Sequence, residues 1–180
     1  MPIRRPSLDD LENIMRIARS VQVDRNSPKT SGLVEYKLTR EEYKRRLNNN
    51  DLAFVAENKF VTGFSIAYYP EFLRRLRETD RRAASDELML FVTASREHFV
   101  YYDQLCILPE LFGRGVGIQL HDRTVEEARN RSMKVLYCAI AHAPWQNKYS
   151  IELSARRDWK FINEVTTRSG LTFGVYEKRL

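Results

Sequence analysis

The stretch Leu105-Cys-Ile-Leu-Pro-Glu-Leu-Phe-Gly-Arg-Gly-Val-Gly-Ile-Gln-Leu120 constrains this chain more than any other. Leu105 to Leu108 reads as a buried strand that Pro109 ends. A short loop then delivers Gly113, Gly115 and Gly117, after which apolar residues recur at helical spacing. Strand, glycine loop and helix in that order place open backbone N–H groups at a helix N-terminus, where the unpaired amides and the helix dipole favour an anion. Glycines allow left-handed backbone angles and let a ligand approach the main chain. The loop therefore reads as a cradle for the pyrophosphate of a coenzyme. A dinucleotide loop would need Gly-x-Gly-x-x-Gly at an early strand, and a P-loop needs Gly-Lys-Ser/Thr; neither spacing is present.

The flanking elements imply an α/β domain. Ile3 to Arg5 can open as a strand. Ser7 and Asp10 have capping-box spacing ahead of Leu8, Leu11, Ile14, Met15, Ala18 and Val21 at helical period. Gln22 to Gly32 reads as a loop. Thr39 and Glu42 cap a second helix carrying Tyr43 and Leu47, which stops at residues 48–51. Leu52 to Ala56 and Phe60 to Tyr69 form a hairpin about Glu57-Asn58-Lys59. Between Pro70 and Arg96, a short basic helix (Phe72, Leu73, Leu76) precedes one that starts at Asp86-Glu87 and carries Leu88, Phe91 and Val92. This insertion covers the sheet, walls a pocket, or both.

Phe99 to Leu108 is the next strand. A helix from Gly117 to about Ser132 points Leu120, Val125 and Ala128 inward, and Val135 to Ala141 is a buried strand. Asn147 to Arg157 is helical, and Phe161 to Val165 and Leu171 to Tyr176 are strands joined at Arg168-Ser169-Gly170. The expectation is one domain over residues 1–180. It has a mixed central sheet with helices on both faces and a helical insertion between the third and fourth strands.

Composition narrows the partners. The 30 basic against 24 acidic residues give a net charge of +6, and the pI is near 9.4. That suits a phosphate-bearing ligand. The basic residues are scattered and carry no nucleic-acid motif, so no specific nucleic acid is expected. No signal segment or apolar run of membrane length is visible, which points to a cytoplasmic chain. Cys106 and Cys138 sit in apolar strands and read as free thiols, not as a disulfide or a metal site.

Three pieces in order resemble the GNAT acetyltransferases. Ala56 to Phe64 is similar to the family's second and third strands. Leu105 to Leu120 is similar to its acyl-CoA motif, Arg/Gln-x-x-Gly-x-Gly/Ala. Asn147-x-x-Ser150-x-x-Leu153-Ser154-x-x-x-Asp158-Trp159 sits where the family has Asn-x-x-Ala-x-x-Leu-Tyr-x-x-x-Gly-Phe. The resemblance implies a GNAT fold and acetyl-CoA as cosubstrate, with no metal. It implies direct attack by a primary amine (a small molecule, an amino acid or a protein N-terminus). A homodimer is left open.

Carried over residue by residue, the amides of Gly113, Arg114, Gly115, Val116, Gly117 and Ile118 would hold the pyrophosphate. Main-chain groups of Leu105, Cys106 and Ile107 would hold the pantetheine arm, which Asn147 would also contact, though Asn is equally a helix N-cap.

The resemblance has two departures. Phe112 stands where the family has Arg or Gln, which touches the packing of the loop more than its backbone chemistry. Ser154 stands where many members place a tyrosine that protonates the departing thiolate. A thiol pKa of about 8.5 makes the thiolate a fair leaving group without that acid. Tyr101, Tyr102 or Tyr149 could take the role. For the base there are two candidates: Asp103, an unusual residue inside a strand, and His142, which follows the fifth strand and titrates near neutral pH. His98 and His121 are read as a strand flank and a helix surface, with no role. A non-catalytic acyl-CoA-binding domain of the same fold is the alternative. Residues 22–38 and 70–98, which would shape the acceptor pocket, carry no readable motif.

Overall fold

The computed structural model describes residues 1–22, 37–94 and 98–180. Most of the expected loop from Gln22 to Gly32 lies outside them. Seven strands are present: β1 (Ile3–Arg4), β2 (Ala53–Asn58), β3 (Phe60–Tyr68), β4 (Phe99–Ile107), β5 (Val135–Ala143), β6 (Lys160–Thr166) and β7 (Thr172–Arg179). They form one sheet in the order β1-β2-β3-β4-β5-β7-β6. Every neighbouring pair is antiparallel except β4 and β5. A parallel pair needs a crossover, supplied here by the glycine loop and its helix.

Seven α-helices accompany the sheet among the described residues: α1 (Leu11–Ser20), α2 (Arg40–Leu47), α3 (Pro70–Thr79), α4 (Arg81–Ser85), α5 (Glu87–Thr93), α6 (Val116–Asn130) and α7 (Lys148–Arg156). Their starts follow from the caps in the sequence. At α2 the capping is reciprocal: Thr39 N–H donates to Glu42 Oε2 at 2.6 Å, and Glu42 N–H donates to Thr39 Oγ1 at 3.3 Å. Asp10 accepts from Ser7 N–H at 2.7 Å and from the Arg4 guanidinium at 2.7 and 2.9 Å, which ties β1 to the first helical turn.

Helices cover both faces. On one, Leu11, Ile14 and Ile17 of α1 pack with Val55, Phe64, Ile66 and Tyr68 and with Leu73, Leu88 and Met89 of the insertion. On the other, Leu120 of α6 packs with Phe54 and Ala56, and Val125 and Ala128 pack with Val100, Tyr102 and Leu136.

The structure differs from the sequence reading in four places. The insertion holds three helices, because Asp80 caps a further one, α4, through the N–H groups of Arg82 and Ala83 at 2.9 and 3.2 Å. The first hairpin is tighter than a three-residue turn: Asn58 already pairs with Phe60, and Lys59 alone turns the chain at φ 63°. His142 lies within β5, not after it. His121, expected on a helix surface, is 3% exposed.

Candidate functional site

The parallel junction is short. β4 and β5 pair from Phe99↔Val135 to Tyr102↔Cys138 and then separate. Past that point Asp103–Ile107 continues along β3 and Ala139–Ala143 along β7. A bulge helps each strand turn away. On β4, Asp103 is the extra residue opposite Ile66 and Ala67; on β5, His142 is the extra residue opposite Phe173 and Thr172. The divergence opens a cavity of about 400 Å³. The backbone edge of β4 that faces it has no strand partner among the described residues.

One wall is the glycine loop. Gly113 and Gly115 take φ of 76° and 81°, and Gly115 is the N-cap of α6. In that left-handed region a side chain is strained. A Cβ at either position would meet nothing within 4 Å, so both glycines face open space. The first bond of the opening turn runs from Gln119 N–H to the Gly115 carbonyl at 3.1 Å, so the amides of Val116, Gly117 and Ile118 have no carbonyl one turn back, whereas Arg114 N–H is already engaged by the Leu111 carbonyl at 3.2 Å. Gly113, Gly115, Val116, Gly117 and Ile118 all line the cavity, as do Leu105, Cys106 and Ile107; Arg114 is exposed and does not. A pyrophosphate needs backbone donors and room for close approach, and this loop supplies both.

Leu105 and Ile107 are half-buried and face α6, whereas Cys106 is buried toward α1. The free thiols of Cys106 and Cys138 both border the cavity, and burial raises the pKa of each.

Asp103 and Asp86 line the opposite end with Tyr101, Gln104, Leu88, Val21 and Phe173. Asp103 Oδ2 accepts a hydrogen bond from Tyr68 Oη at 2.8 Å. Its pKa is raised on balance, because burial outweighs the downward pull of the nearby Arg46 charge and of the Tyr68 hydrogen bond. Asp86 caps α5 through Leu88 and Met89 N–H, both at 2.9 Å. Burial pushes its carboxyl up to about 6, and Asp103 adds to the shift. Sequence reasoning saw Asp86 as a helix-starting acid, which it is. Its place in the cavity depends on how the insertion folds back, which no local pattern reveals.

The third wall is α7. Asn147 caps it, its Oδ1 accepting from Ser150 N–H at 3.2 Å, and also borders the cavity. Phe112 lies against Tyr149, ring centres 5.3 Å apart, so the loop leans on α7 where the family pattern has Arg or Gln. Ser154 is buried and lines the cavity. Beside it Trp159 Nε1–H donates to His121 Nε2 at 3.0 Å. Since an indole only donates, Nε2 is the acceptor, and Nδ1 carries the proton that it donates to Asp122 Oδ1 at 2.9 Å. Of the three tyrosines, Tyr149 is exposed at the cavity mouth, while Tyr101 and Tyr102 are buried with pKa values raised by burial.

His142 stands apart. It is not among the residues lining the cavity. Nδ1 meets Glu164 Oε1 at 3.0 Å, Nε2 meets Tyr176 Oη at 2.9 Å, and Phe161 stacks on the ring. Gly174 makes room for it: a Cβ there would lie 2.3 Å from the imidazole. The two base candidates, both bulge residues, thus sit in different surroundings. Among the described residues, no three His, Cys, Asp or Glu side chains gather as a metal site, and no helix is long and apolar enough to cross a membrane.

A strand pair that diverges beside a glycine-capped helix defines a class of protein. The structure is similar over its whole length to a ribosomal-protein-alanine N-acetyltransferase from Brucella melitensis (TM-score 0.68, 20% identity, all of both chains). It is also similar to a putative GNAT-family acetyltransferase from Desulfovibrio desulfuricans (TM-score 0.69, 12% identity, 99% of this chain and 98% of that one). A third similar structure is a mosquito arylalkylamine N-acetyltransferase-like 5b (TM-score 0.67, 17% identity, 99% of both). By sequence, no family model and no curated protein matches the chain. The fold is that of the GNAT-superfamily N-acetyltransferases.

Proposed function

We propose that this chain transfers the acetyl group of acetyl-CoA to a primary amine. The observation that carries the reading is the gap between β4 and β5, with an open glycine cradle at one end and a carboxylate at the other. In that reaction the amine nitrogen bonds to the thioester carbon, the C–S bond breaks, CoA leaves as its thiol and the nitrogen loses a proton. The amides of Gly113 and of Gly115 to Ile118 receive the pyrophosphate, and the free edge of Leu105–Ile107, with Asn147, receives the pantetheine arm; the Arg114 amide is held by the Leu111 carbonyl.

Asp103 is the base that the geometry favours. It borders the cavity, whereas His142 is engaged by Glu164 and Tyr176 outside it. An ionised Asp103 attracts the incoming ammonium and takes one proton from it before attack; the neutral amine then bonds to the thioester carbon, and the second proton that its nitrogen sheds goes to the departing CoA sulfur. Ser154 can offer a hydrogen bond to the departing sulfur, which needs little help to leave. The neighbours are named for different acceptors, one for a ribosomal-protein alanine and one for its likeness to arylalkylamine enzymes, so a panel of amines is the test of the acceptor.

Ser154 in the acid's position favours one other reading, an acyl-CoA-binding domain without turnover. Both readings expect acetyl-CoA to raise the melting temperature; only the enzyme releases CoA thiol when given a panel of amines. Absence of a thermal shift would sink both.

A further inference from the structure

We propose that Tyr68 and Arg46 are positioning residues that fix the Asp103 carboxyl group at the acceptor end of the cavity and favour its ionised form. The purpose of this device rests on the reading of Asp103 as the base; the device itself rests on geometry.

Tyr68, on β3, is fully buried and donates its hydroxyl to Asp103 Oδ2 at 2.8 Å. Its ring is held by a nearly parallel stack on Phe72 of α3, 5.4 Å between centres and 4° between planes. The hydroxyl therefore has little freedom to follow Asp103, and Asp103 is held to it instead.

Behind Tyr68 lies Arg46 of α2, only 3% exposed. Taking a guanidinium out of water costs several kcal/mol unless carboxylates and hydrogen bonds compensate. Asp80, 2% exposed, is a loose partner: Oδ2 lies 3.6 Å from Arg46 Nη2, and its Oδ1 is engaged in capping α4. Among the described residues, Arg46 Nε and Nη1 have no hydrogen-bond partner. An arginine serving only to anchor α2 could do so from the surface. Buried, its charge acts on Asp80, Tyr68 and Asp103 through a poorly screened interior.

The charges explain why a support is needed. The other ionisable groups facing Asp103 are Asp80, before α4, and Asp86, before α5. Among the described residues, Tyr101 and Cys106 of β4 and Tyr43 of α2, which donates to Gln104 at 3.2 Å, face it as well. None of these favours an ionised Asp103; the carboxylates oppose it and burial adds to the opposition. Arg46 and the Tyr68 hydroxyl act the other way.

The test follows the Asp103 carboxyl carbon by ¹³C NMR as pH is varied, with its resonance assigned by its loss in Asp103→Asn. Tyr68→Phe removes one oxygen and keeps the stack on Phe72. Its Asp103 titration midpoint is expected to rise by about one pH unit, the size of one hydrogen bond to a charged group. Arg46→Gln should raise it too, whereas Arg46→Lys, which keeps the charge, should stay near the parent value. An unchanged midpoint in Tyr68→Phe overturns the proposal. Because the measurement needs no turnover, it is separable from the proposed activity. If thiol release is absent but the midpoint moves, the support stands and the acetyltransferase reading falls. Where thiol release is present, the acidic limb of its pH profile should move with the NMR midpoint.

Discussion

Tyr102 and Cys138 are the last residues to face each other across the parallel junction of β4 and β5. Every residue proposed to hold the cofactor lies beyond that pair, on the freed edge of β4, in the glycine loop that follows it and at the N-cap of α7. The backbone edge and the glycine loop should therefore govern binding more than any single side chain.

Gly115→Ala should cost about 1–2 kcal/mol of stability, because a Cβ is strained at φ 81°. Gly115→Trp should fold, since space is open there, but fill the cradle and abolish the acetyl-CoA thermal shift. A full thermal shift with the tryptophan would mean that the loop is not the pyrophosphate site.

Asp86 makes stability depend on pH in a definite direction. Its carboxyl titrates near 6 in the folded chain against an ordinary value of 3.8, so the folded state binds the proton more tightly. The cost of holding it ionised is fully present above pH 6 and fades as pH falls toward 4. Asp86→Asn keeps a good N-cap and should stabilise by on the order of 1–3 kcal/mol at pH 7.5 and by little at pH 4.5. Urea unfolding at the two pH values decides; equal gains at both would contradict the assignment.

His121 should be found as the Nδ1–H tautomer by long-range ¹H–¹⁵N correlation, because Trp159 claims its other nitrogen. Burial lowers its pKa. An unfolded chain takes up a proton below pH 6.5 that the folded one resists, so His121 removes stability as pH drops, opposite in sign to Asp86. Detection of the Nε2–H form would show that the indole contact is absent in solution.

The two bulge residues should part company in kinetics. Asp103→Asn should lower kcat/KM for amine acetylation by roughly 10²–10⁴-fold, the span of general acid–base catalysis. His142→Ala should leave it unchanged. Gly174→Ala, which drives a Cβ into the imidazole, should lower stability by about 1–3 kcal/mol and likewise spare turnover. Comparable losses in the Asp103 and His142 variants would return His142 to the reaction.

Ser154→Ala should retain acetyl transfer within about tenfold, well short of the loss expected for a true general acid. A larger fall, with acetyl-CoA binding intact, would give the serine hydroxyl the acid's role.

Local chemistry made much of this legible beforehand. Thr39 with Glu42, Asp86 ahead of Leu88, and Asn147 ahead of Ser150 announce their helices because capping is a short-range hydrogen bond. Gly113 to Gly117 announced an anion cradle because left-handed angles leave few other choices of residue. The remainder depended on distance along the chain. The extra residue at Asp103 exists only relative to Ile66 and Ala67, and His142 becomes part of β5 only because β7 inserts between β5 and β6. His121 looked like one polar residue on an amphipathic helix until Trp159, thirty-eight positions later, folded over it. Arg46, in a run of charges that reads as a solvated helix face, gives no sign in sequence that it is buried.

The short seam between β4 and β5 also has a mechanical meaning. Among the described residues, four pairs, Phe99↔Val135 to Tyr102↔Cys138, are the only strand pairing between a four-stranded half-sheet (β1 to β4) and a three-stranded one (β5 to β7). Beyond Tyr102 nothing in the sheet resists relative twisting of the two halves, so that end is a compliant joint in an otherwise stiff plate. A ligand arm bonded along the free edge of β4 would act as a splint, coupling the halves without adding a strand.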